Sequence, residues 1–192
     1  MSATALPISI AVSPRNTAVT VPPADIAVSL EHVSFRYNKE ESEVLEDINL
    51  SIRPGECIVL TGESGCGKTT LTRTINGLIP LVYQGVLKGR VSVAEKSVTE
   101  WTSGDLAVTV GSVFQNPRSQ FVNSEVEAEL AFGGENQGLS REEIVRRIHE
   151  SVRVFGIEEL LHRQVEELSG GQRQMVILAS VYATDPDIFV LD

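Results

Sequence analysis

Residues 62–69 read GESGCGKT and match the pattern G-x-x-x-x-G-K-[ST] at every fixed position. The glycines let the backbone curl so that successive N–H groups face one anion, with no Cβ in the way. The apolar stretch ECIVL precedes the loop and a helical stretch follows it, which adds the positive N-terminal end of a helix. Lys68 can then reach the β- and γ-phosphates of a nucleotide, and the Thr69 hydroxyl can ligate Mg²⁺. These residues predict a nucleotide-phosphate loop between a buried strand and a helix.

The size and composition of the chain indicate a globular protein with a sizeable core. It has 192 residues, of which 42% are hydrophobic and 22% are charged. The formal net charge of −10 argues against a general affinity for nucleic acid, which usually requires a basic surface. Cys57 and Cys66 have neither the number nor the spacing of a disulfide framework or a zinc site, and Cys57 is expected in the core. No segment approaches the roughly 18 consecutive apolar residues that span a bilayer.

Outside the phosphate loop, the apolar pattern of the sequence predicts both strands and helices. Residues 1–25 are rich in Ala, Ser, Thr and Pro and are predicted to be a disordered extension that precedes the folded part. Alternating apolar residues predict strands in IAVSLEHVSFRY and VLEDINLSI, and a further strand is expected in LAVTVGSVF at 106–114. Helices are predicted from Ser140, where S-x-x-E forms a capping box, and from Ser169 to about Ala183. A phosphate loop in this context indicates an α/β protein with a largely parallel sheet.

A second motif, LSGGQ, occupies residues 168–172. Ser169 and Gln172 form another capping box, so the helix that follows carries two glycines in its first turn. Glycine in a helix costs up to about 1 kcal/mol relative to alanine. That cost makes sense if a ligand must approach the exposed backbone N–H groups closely, and a phosphate is the obvious candidate. The alternative is an ordinary Ser-capped helix whose glycines have no function.

With both motifs in place, the sequence resembles the nucleotide-binding subunits of ABC transporters, whose signature is LSGGQ. The resemblance covers residues 26–192 and implies the P-loop NTPase fold of the ABC ATPase type. That fold has a mostly parallel core sheet, an N-terminal antiparallel β part and a helical signature-bearing part, expected here at about 120–183. In this family two such domains dimerise head to tail, so a second ABC ATPase subunit is implied as a partner. The signature residues that would cap the partner's ATP are Leu168, Ser169, Gly170, Gly171 and Gln172.

The resemblance also implies residues that bind ATP and Mg²⁺. Tyr37, in VSFRY, is similar to the aromatic residue that stacks on adenine, the alternative being an ordinary edge-strand tyrosine. Gln115, in VFQNP, resembles the glutamine that contacts Mg²⁺, supports catalysis and senses the membrane partner; the alternative is a polar loop residue. An amide suits this role because its carbonyl oxygen can bind a cation or a water. The metal ligands implied are Thr69, Gln115 and Asp192. The ATP-binding residues implied are Tyr37, Gly62, Glu63, Ser64, Gly65, Cys66, Gly67, Lys68, Thr69 and Thr70.

Residues 113–136, VFQNPRSQFVNSEVEAELAFGGEN, resemble a stretch of the energy-coupling-factor and cobalt-type importers, with Ala128 where an acidic residue is common. The resemblance implies an ATPase held peripherally at the cytoplasmic face of the cell membrane by integral membrane transport subunits. Such ATPases power uptake of a vitamin or a transition-metal ion. Two alternatives stay open, a soluble ABC ATPase without a transporter and a non-hydrolysing partner in a heterodimer.

The last six residues, DIFVLD, resemble the Walker B strand, whose terminal aspartate, here Asp192, holds Mg²⁺ directly or through water. In the family a glutamate that polarises the attacking water comes next, followed by a D-loop and a switch histidine. None of these is among the 192 residues, so the fold is expected to be incomplete at the C-terminus and the chain to be a fragment. We expect this form to bind ATP and to hydrolyse it poorly, because a missing general base alone can cost about 10²–10⁴-fold.

Overall fold

The computed structural model describes residues 8–12 and 26–192, which divide into two compact units. The first unit holds the described residues up to Val110 together with 187–192. The second unit is residues 111–186, a range that includes the helical part expected at about 120–183. The phosphate loop and Asp192 therefore belong to the first unit, while Gln115 and LSGGQ belong to the second.

Strands and short helices surround the phosphate loop in the first unit. Its elements are β1 (Ile8–Val12), β2 (Val28–Tyr37), β3 (Leu45–Ile52), β4 (Cys57–Leu60), α1 (Lys68–Ile75), α2 (Leu78–Leu81), β5 (Gly85–Val93), β6 (Lys96–Ser97), α3 (Ser103–Thr109), β7 (Val110–Val113, which continues into the second unit) and β8 (Ile188–Leu191). Strands β3, β2, β5 and β6 form an antiparallel sheet in that order. This sheet is the N-terminal antiparallel part that the sequence predicts.

Strand β2 shows how the apolar pattern places the core of this unit. Val28 and Leu30 are buried, and Val33 and Phe35 are buried after a shift in the register with β3 and β5. The shift includes His32, whose φ is 50°, and such a bulge re-aims the side chains that follow it. Both halves of the strand thereby reach the same core. The other buried members of this core are Leu45, Ile52, Leu71, Ile75, Ile79, Val91, Val93, Val98, Leu106, Val110, Ile188 and Val190.

Strand β1 lies between the two strands that lead into the candidate site. It pairs antiparallel with β4, where Ile8 is opposite Leu60, and antiparallel with β8, where Ser9 is opposite Leu191. Strands β4 and β8 therefore run in the same direction, as the prediction of a largely parallel sheet requires, but both pairings that join them through β1 are antiparallel. Their carboxyl ends emerge at the same edge of the sheet, which is where ligands bind in open α/β sheets.

The structure differs from the sequence prediction in the extension at 1–25. Residues 8–12 form β1 instead of being disordered, and the other residues of that range lie outside the described residues. The segment ISIAV is rich in β-branched residues, which favour strands. The amino-acid composition averaged over 25 residues does not reveal this short run. Its pairing partners, β4 and β8, lie far away in the chain, so no local pattern predicts the strand.

Two further predictions are wrong in detail. LAVTVGSVF is predicted as one strand, but its first residues lie in α3 and only Val110–Val113 form a strand. The Thr102 hydroxyl caps α3 by accepting from the Asp105 N–H at 3.2 Å, and this cap outweighs the weak helix propensity of the residues that follow. Cys57, expected in the core, is exposed at the start of β4.

Helices form the second unit, namely α4 (Val126–Asn136), α5 (Arg141–Phe155) and α6 (Gly170–Ala183). The predictions of α5 and α6 are confirmed. Their apolar faces enclose a second core, whose buried members are Val126, Leu130, Ile148, Val152, Ile157, Leu160, Leu161, Val165, Leu168, Val176 and Ala179. None of the helices in the described residues is long and apolar enough to cross a membrane.

The first turn of α5 departs slightly from the capping box that the sequence predicts. Ser140 caps the helix, and its side chain accepts from the Glu143 N–H at 3.3 Å. The Glu143 carboxylate does not complete the box but accepts from Arg146 at 2.7 Å and from Arg147 at 2.8 Å. These hydrogen bonds, that from Arg146 first, lower the pKa of Glu143 from 4.5 to about 2. The charges of this turn therefore pair with one another along the helix.

Candidate nucleotide-binding site

The phosphate loop joins β4 to α1, as the sequence predicts. Gly65 and Gly67 have φ values of +84° and +96°, a left-handed conformation that glycine adopts at little cost. Gly67 is also tightly packed, because a Cβ there would lie 2.9 Å from the carbonyl oxygen of Val44. A Cβ on Gly65 would meet nothing within 4 Å. Backbone conformation therefore requires both glycines, and packing additionally requires Gly67.

Lys68 folds back over this loop. Its Nζ donates to the carbonyl oxygens of Gly62 at 2.9 Å and Glu63 at 2.7 Å, and it lies 3.6 Å from Cys66 Sγ. Neutral carbonyl oxygens are weaker partners for an ammonium group than the charged oxygens of a phosphate. A phosphate that entered the loop could therefore take over these hydrogen bonds without a large movement of the backbone.

Thr69 and Asp192 meet although 123 residues separate them in the chain. The Thr69 hydroxyl, in the first turn of α1, donates to Oδ1 of Asp192, beyond the end of β8, at 2.9 Å. A hydroxyl and a carboxylate oxygen are hard ligands, and Mg²⁺ is usually held by one or two such protein groups together with phosphates and waters. The pair therefore fits Mg²⁺. In the described part of the chain no group of three or more His, Cys, Asp or Glu could hold a metal without such help.

Tyr37 ends β2 and contacts α1. Its hydroxyl lies 3.1 Å from Thr70 Oγ1 and accepts a hydrogen bond from Arg73 Nη1 at 3.2 Å. Its ring and that of Phe35 are 4.8 Å apart between centroids and inclined at 83°. Sequence reasoning identified Tyr37 and Thr70 but missed Arg73, because nothing in the local pattern distinguishes this arginine from a solvated one.

The LSGGQ residues form the start of α6 in the second unit. Ser169 Oγ accepts from the Gln172 N–H at 3.3 Å, and Gln172 Oε1 accepts from the Ser169 N–H at 2.9 Å, so the predicted capping box is complete. Leu168, before the cap, is buried. Gly170 and Gly171 are exposed, and a Cβ on either would meet nothing within 4 Å. Within the described residues no neighbouring atom requires glycine at these two positions, so there is open space in front of the first turn of α6.

Gln115 is exposed in the loop that follows β7. The side chain of Gln120 fixes the start of this loop, because its Nε2 donates to the Ser112 carbonyl at 2.8 Å and its Oε1 accepts from the Phe114 N–H at 2.9 Å. Gln120 belongs to the importer-like stretch, and the structure gives it this local role. Sequence reasoning noted the residue only as part of a pattern.

Comparison with known proteins agrees with this geometry. The family model described as ABC transporter matches residues 45–192, which is well over half of the chain. The chain belongs to the ABC transporter family. The match extends from β3 through the phosphate loop and the signature to Asp192, and it confirms both the family and the ABC ATPase type of fold.

Curated relatives of this ABC transporter chain are proteins named for ATP binding. A putative ABC transporter ATP-binding protein of Treponema denticola is 46% identical over 86% of this chain and 34% of its own length. The energy-coupling factor transporter ATP-binding protein EcfA1 of Enterococcus faecalis is 42% identical over 86% of this chain and 58% of its own length. The putative HMP/thiamine import ATP-binding protein YkoD of Bacillus subtilis is 38% identical over 88% of this chain and 31% of its own length. The chain thus spans from about a third to three-fifths of these relatives.

Solved structures show the same fold. The structure of cbiO1 from Clostridium perfringens, described as part of the ABC transporter complex cbiONQ, has a TM-score of 0.69 and 27% identity, over 85% of this chain and 63% of that one. The structure of an ATP binding subunit of an ABC transporter has a TM-score of 0.64 over 83% of this chain and 63% of that one. Its identity of 20% supports the fold alone.

Proposed function

We propose that this chain is the ATP-binding part of an ABC importer subunit, in which binding and hydrolysis of MgATP drive uptake of a small solute. The observation that carries the proposal is the hydrogen bond of 2.9 Å between Thr69 and Asp192 next to the phosphate loop. A loop for phosphates beside a hydroxyl–carboxylate pair for Mg²⁺ is what a triphosphate–metal complex requires. The relatives named as energy-coupling factor and HMP/thiamine import ATP-binding proteins support the importer branch.

ATP binds through its phosphates and its base in this proposal. Lys68 exchanges its two carbonyl partners for the β- and γ-phosphates, and the N–H groups of residues 62–70 donate to phosphate oxygens with the positive end of α1 behind them. Thr69 and Asp192 would hold Mg²⁺, and the family resemblance implies Gln115 as a third ligand. The bound Mg²⁺ neutralises charge on the β- and γ-phosphates. Tyr37 stacks on the adenine.

The signature would act on a second subunit. In the proposed head-to-tail dimer the exposed N–H groups at the start of α6 face the γ-phosphate held by the partner's phosphate loop, and Gly170 and Gly171 leave room for it. Integral membrane subunits hold the dimer at the cytoplasmic face of the membrane, and a vitamin or a transition-metal ion is the solute. The polypeptide of residues 1–192 alone is expected to hydrolyse ATP slowly, because the general base implied by the family lies outside these residues.

Binding of MgATP to the purified chain tests the site. We expect calorimetric titration to show that Mg²⁺ tightens ATP binding, that Lys68→Ala weakens binding with or without Mg²⁺, and that Asp192→Asn removes most of the gain from Mg²⁺. Glu100→Gln, which changes an exposed carboxylate of the same unit, is the control for loss of charge. Equal gains from Mg²⁺ in Asp192→Asn and in the control would contradict the proposed metal site.

Solute uptake tests the importer assignment. Cells that lack the gene should lose uptake of one labelled vitamin or transition-metal ion from a panel, and the intact gene should restore it while its Lys68→Ala variant should not. If uptake of every solute in the panel is unchanged, while ATP binding is observed, the soluble, transporter-free reading replaces the importer.

A further inference from the structure

We infer that Arg73 is a positioning residue for the nucleotide base. Arg73 lies on α1 and donates a hydrogen bond to the Tyr37 hydroxyl, and this bond fixes the orientation of the Tyr37 ring. This inference rests on the proposed role of Tyr37 as the residue that stacks on adenine. It predicts that Arg73 contributes to affinity for ATP but not to affinity for a bare polyphosphate.

Arg73 is held between two tyrosines. Its Nη1 donates to the Tyr37 hydroxyl at 3.2 Å, and its guanidinium carbon lies 4.1 Å from the centroid of the Tyr83 ring. The cation–π contact orients the planar guanidinium, and a guanidinium that is fixed in this way loses less entropy when it donates a hydrogen bond. Arg73 is half-buried, which reduces the competition of water for the same donor.

The contacts of Tyr37 leave its ring little freedom. At one side the ring packs edge-to-face on Phe35, which is fully buried. At the other end the hydroxyl is bonded to both Thr70 and Arg73. A platform that is already ordered before the ligand arrives costs less side-chain entropy on binding, and this raises affinity without any new contact to the ligand. Arg73 therefore acts on the base through Tyr37 and does not touch the base itself.

The same contacts connect the base to the phosphates. Thr70 and Arg73 are three residues apart on one face of α1, and α1 begins at Lys68 in the phosphate loop. Tyr37 is thus bonded to the helix that also carries Lys68 and Thr69. Helix α1 therefore holds the ring of Tyr37 at a fixed distance from the phosphate loop.

Titration with two ligands distinguishes a role of Arg73 in positioning Tyr37 from a role in packing alone. MgATP and magnesium tripolyphosphate, which has no base, are titrated against the purified wild-type chain and the variants Arg73→Met, Tyr37→Phe and the double variant. We expect each single variant to weaken ATP binding about two- to tenfold, the range of one hydrogen bond, and to leave tripolyphosphate binding unchanged. The double variant should bind ATP no more weakly than Tyr37→Phe, because Tyr37→Phe already removes the hydrogen bond from Arg73 along with the one to Thr70.

Three further variants complete the test. Arg90→Met, at an exposed arginine of β5, controls for loss of a positive charge and should bind both ligands like wild type. Arg73→Lys keeps the charge near Tyr83 and should restore part of the preference for ATP. Tyr37→Ala removes the ring and measures how much the base contributes through it.

Each outcome has a separate meaning. If Arg73→Met weakens ATP and tripolyphosphate equally, or if Tyr37→Phe binds ATP like wild type, Arg73 does not position Tyr37 and the inference is wrong. If Tyr37→Ala keeps the full preference for ATP over tripolyphosphate, the proposed stacking role of Tyr37 fails instead. Tyr37→Phe keeps the packing of the ring, so the inference stays testable even if Arg73→Met does not fold.

Discussion

Replacing Gly67 with alanine should destabilise the first unit more than the same change at Gly65. Both residues have left-handed φ values, and a Cβ in that conformation costs roughly 1–2 kcal/mol. Only Gly67 has a close neighbour, since its Cβ would lie 2.9 Å from the Val44 carbonyl oxygen and 3.2 Å from Leu45 Cδ2. Backbone oxygen cannot rotate away, so the first contact adds the typical cost of overpacking, about 1–3 kcal/mol.

The expected free energies of unfolding follow from these two contributions. Gly65→Ala should cost roughly 1–2 kcal/mol and Gly67→Ala roughly 2–5 kcal/mol. Both variants restrict the unfolded chain to the same extent, so their difference isolates the contact with Val44. Gly104→Ala, in α3 and with nothing within 4 Å, is the matched control and should be neutral or stabilise by up to about 1 kcal/mol.

Urea unfolding provides the measurement. Trp101 is the single tryptophan of the chain and lies in the first unit, so its fluorescence reports on the unit that carries the phosphate loop. Equal destabilisation by Gly65→Ala and Gly67→Ala would refute the argument that packing against Val44 requires Gly67. Destabilisation by Gly104→Ala would show that a position with no atom within 4 Å of the added Cβ does not tolerate alanine as expected.

Three other perturbations test the remaining structure. Ser169→Ala should lower the free energy of unfolding by about 0.5–2 kcal/mol, because it removes a complete capping box. Gly171→Ala should not lower it, because a Cβ there meets no neighbouring atom within 4 Å. Urea unfolding of the second unit followed by circular dichroism measures both values, and a lower free energy of unfolding for Gly171→Ala would contradict the open space at that position. Glu143→Gln should lower the free energy of unfolding at neutral pH. The difference in this free energy between the variant and wild type should shrink as pH falls from 4.5 towards 2, because a carboxyl group with a lowered pKa stabilises the fold only while it is charged. A difference that does not depend on pH would refute this. Ile10→Pro should raise amide hydrogen exchange in β4 and β8, because proline has no N–H to donate and is not accommodated in a central strand such as β1. Exchange equal to that of the wild-type chain would contradict the pairing of β1 with these strands.

Much of the fold and of the site follows from local sequence signals. The phosphate loop, α5 and α6 begin where glycines and capping residues predict, because those signals act within three or four residues. The contact between Thr69 and Asp192 follows from a different rule, that strands running in the same direction have their carboxyl ends at one edge of the sheet. The structure brings Thr69 and Asp192 together, and their role as ligands of Mg²⁺ stays a prediction.

The errors share a different physical cause. Strand β1 depends on pairing with β4 and β8, which lie about 50 and 180 residues further along the chain, and no local pattern records such pairing. Arg73 owes its position to Tyr37 at the end of β2 and to Tyr83 between α2 and β5, both outside its own helix. In α3 the cap at Thr102 competes with the β-branched residues after it, and the outcome depends on small energies that a pattern does not rank.

The position of β1 also bears on how freely its sequence can vary. Two strand spacings, about 9–10 Å, separate β4 from β8, and main-chain hydrogen bonding sets that width whatever the side chains are. A register slip by one residue would turn every side chain of β1 to the opposite face but would leave the width unchanged. The distance between β4 and β8, which allows Thr69 to reach Asp192, is therefore set by main-chain hydrogen bonds. Mutations in residues 8–12 can preserve this distance as long as the segment stays extended and free of proline.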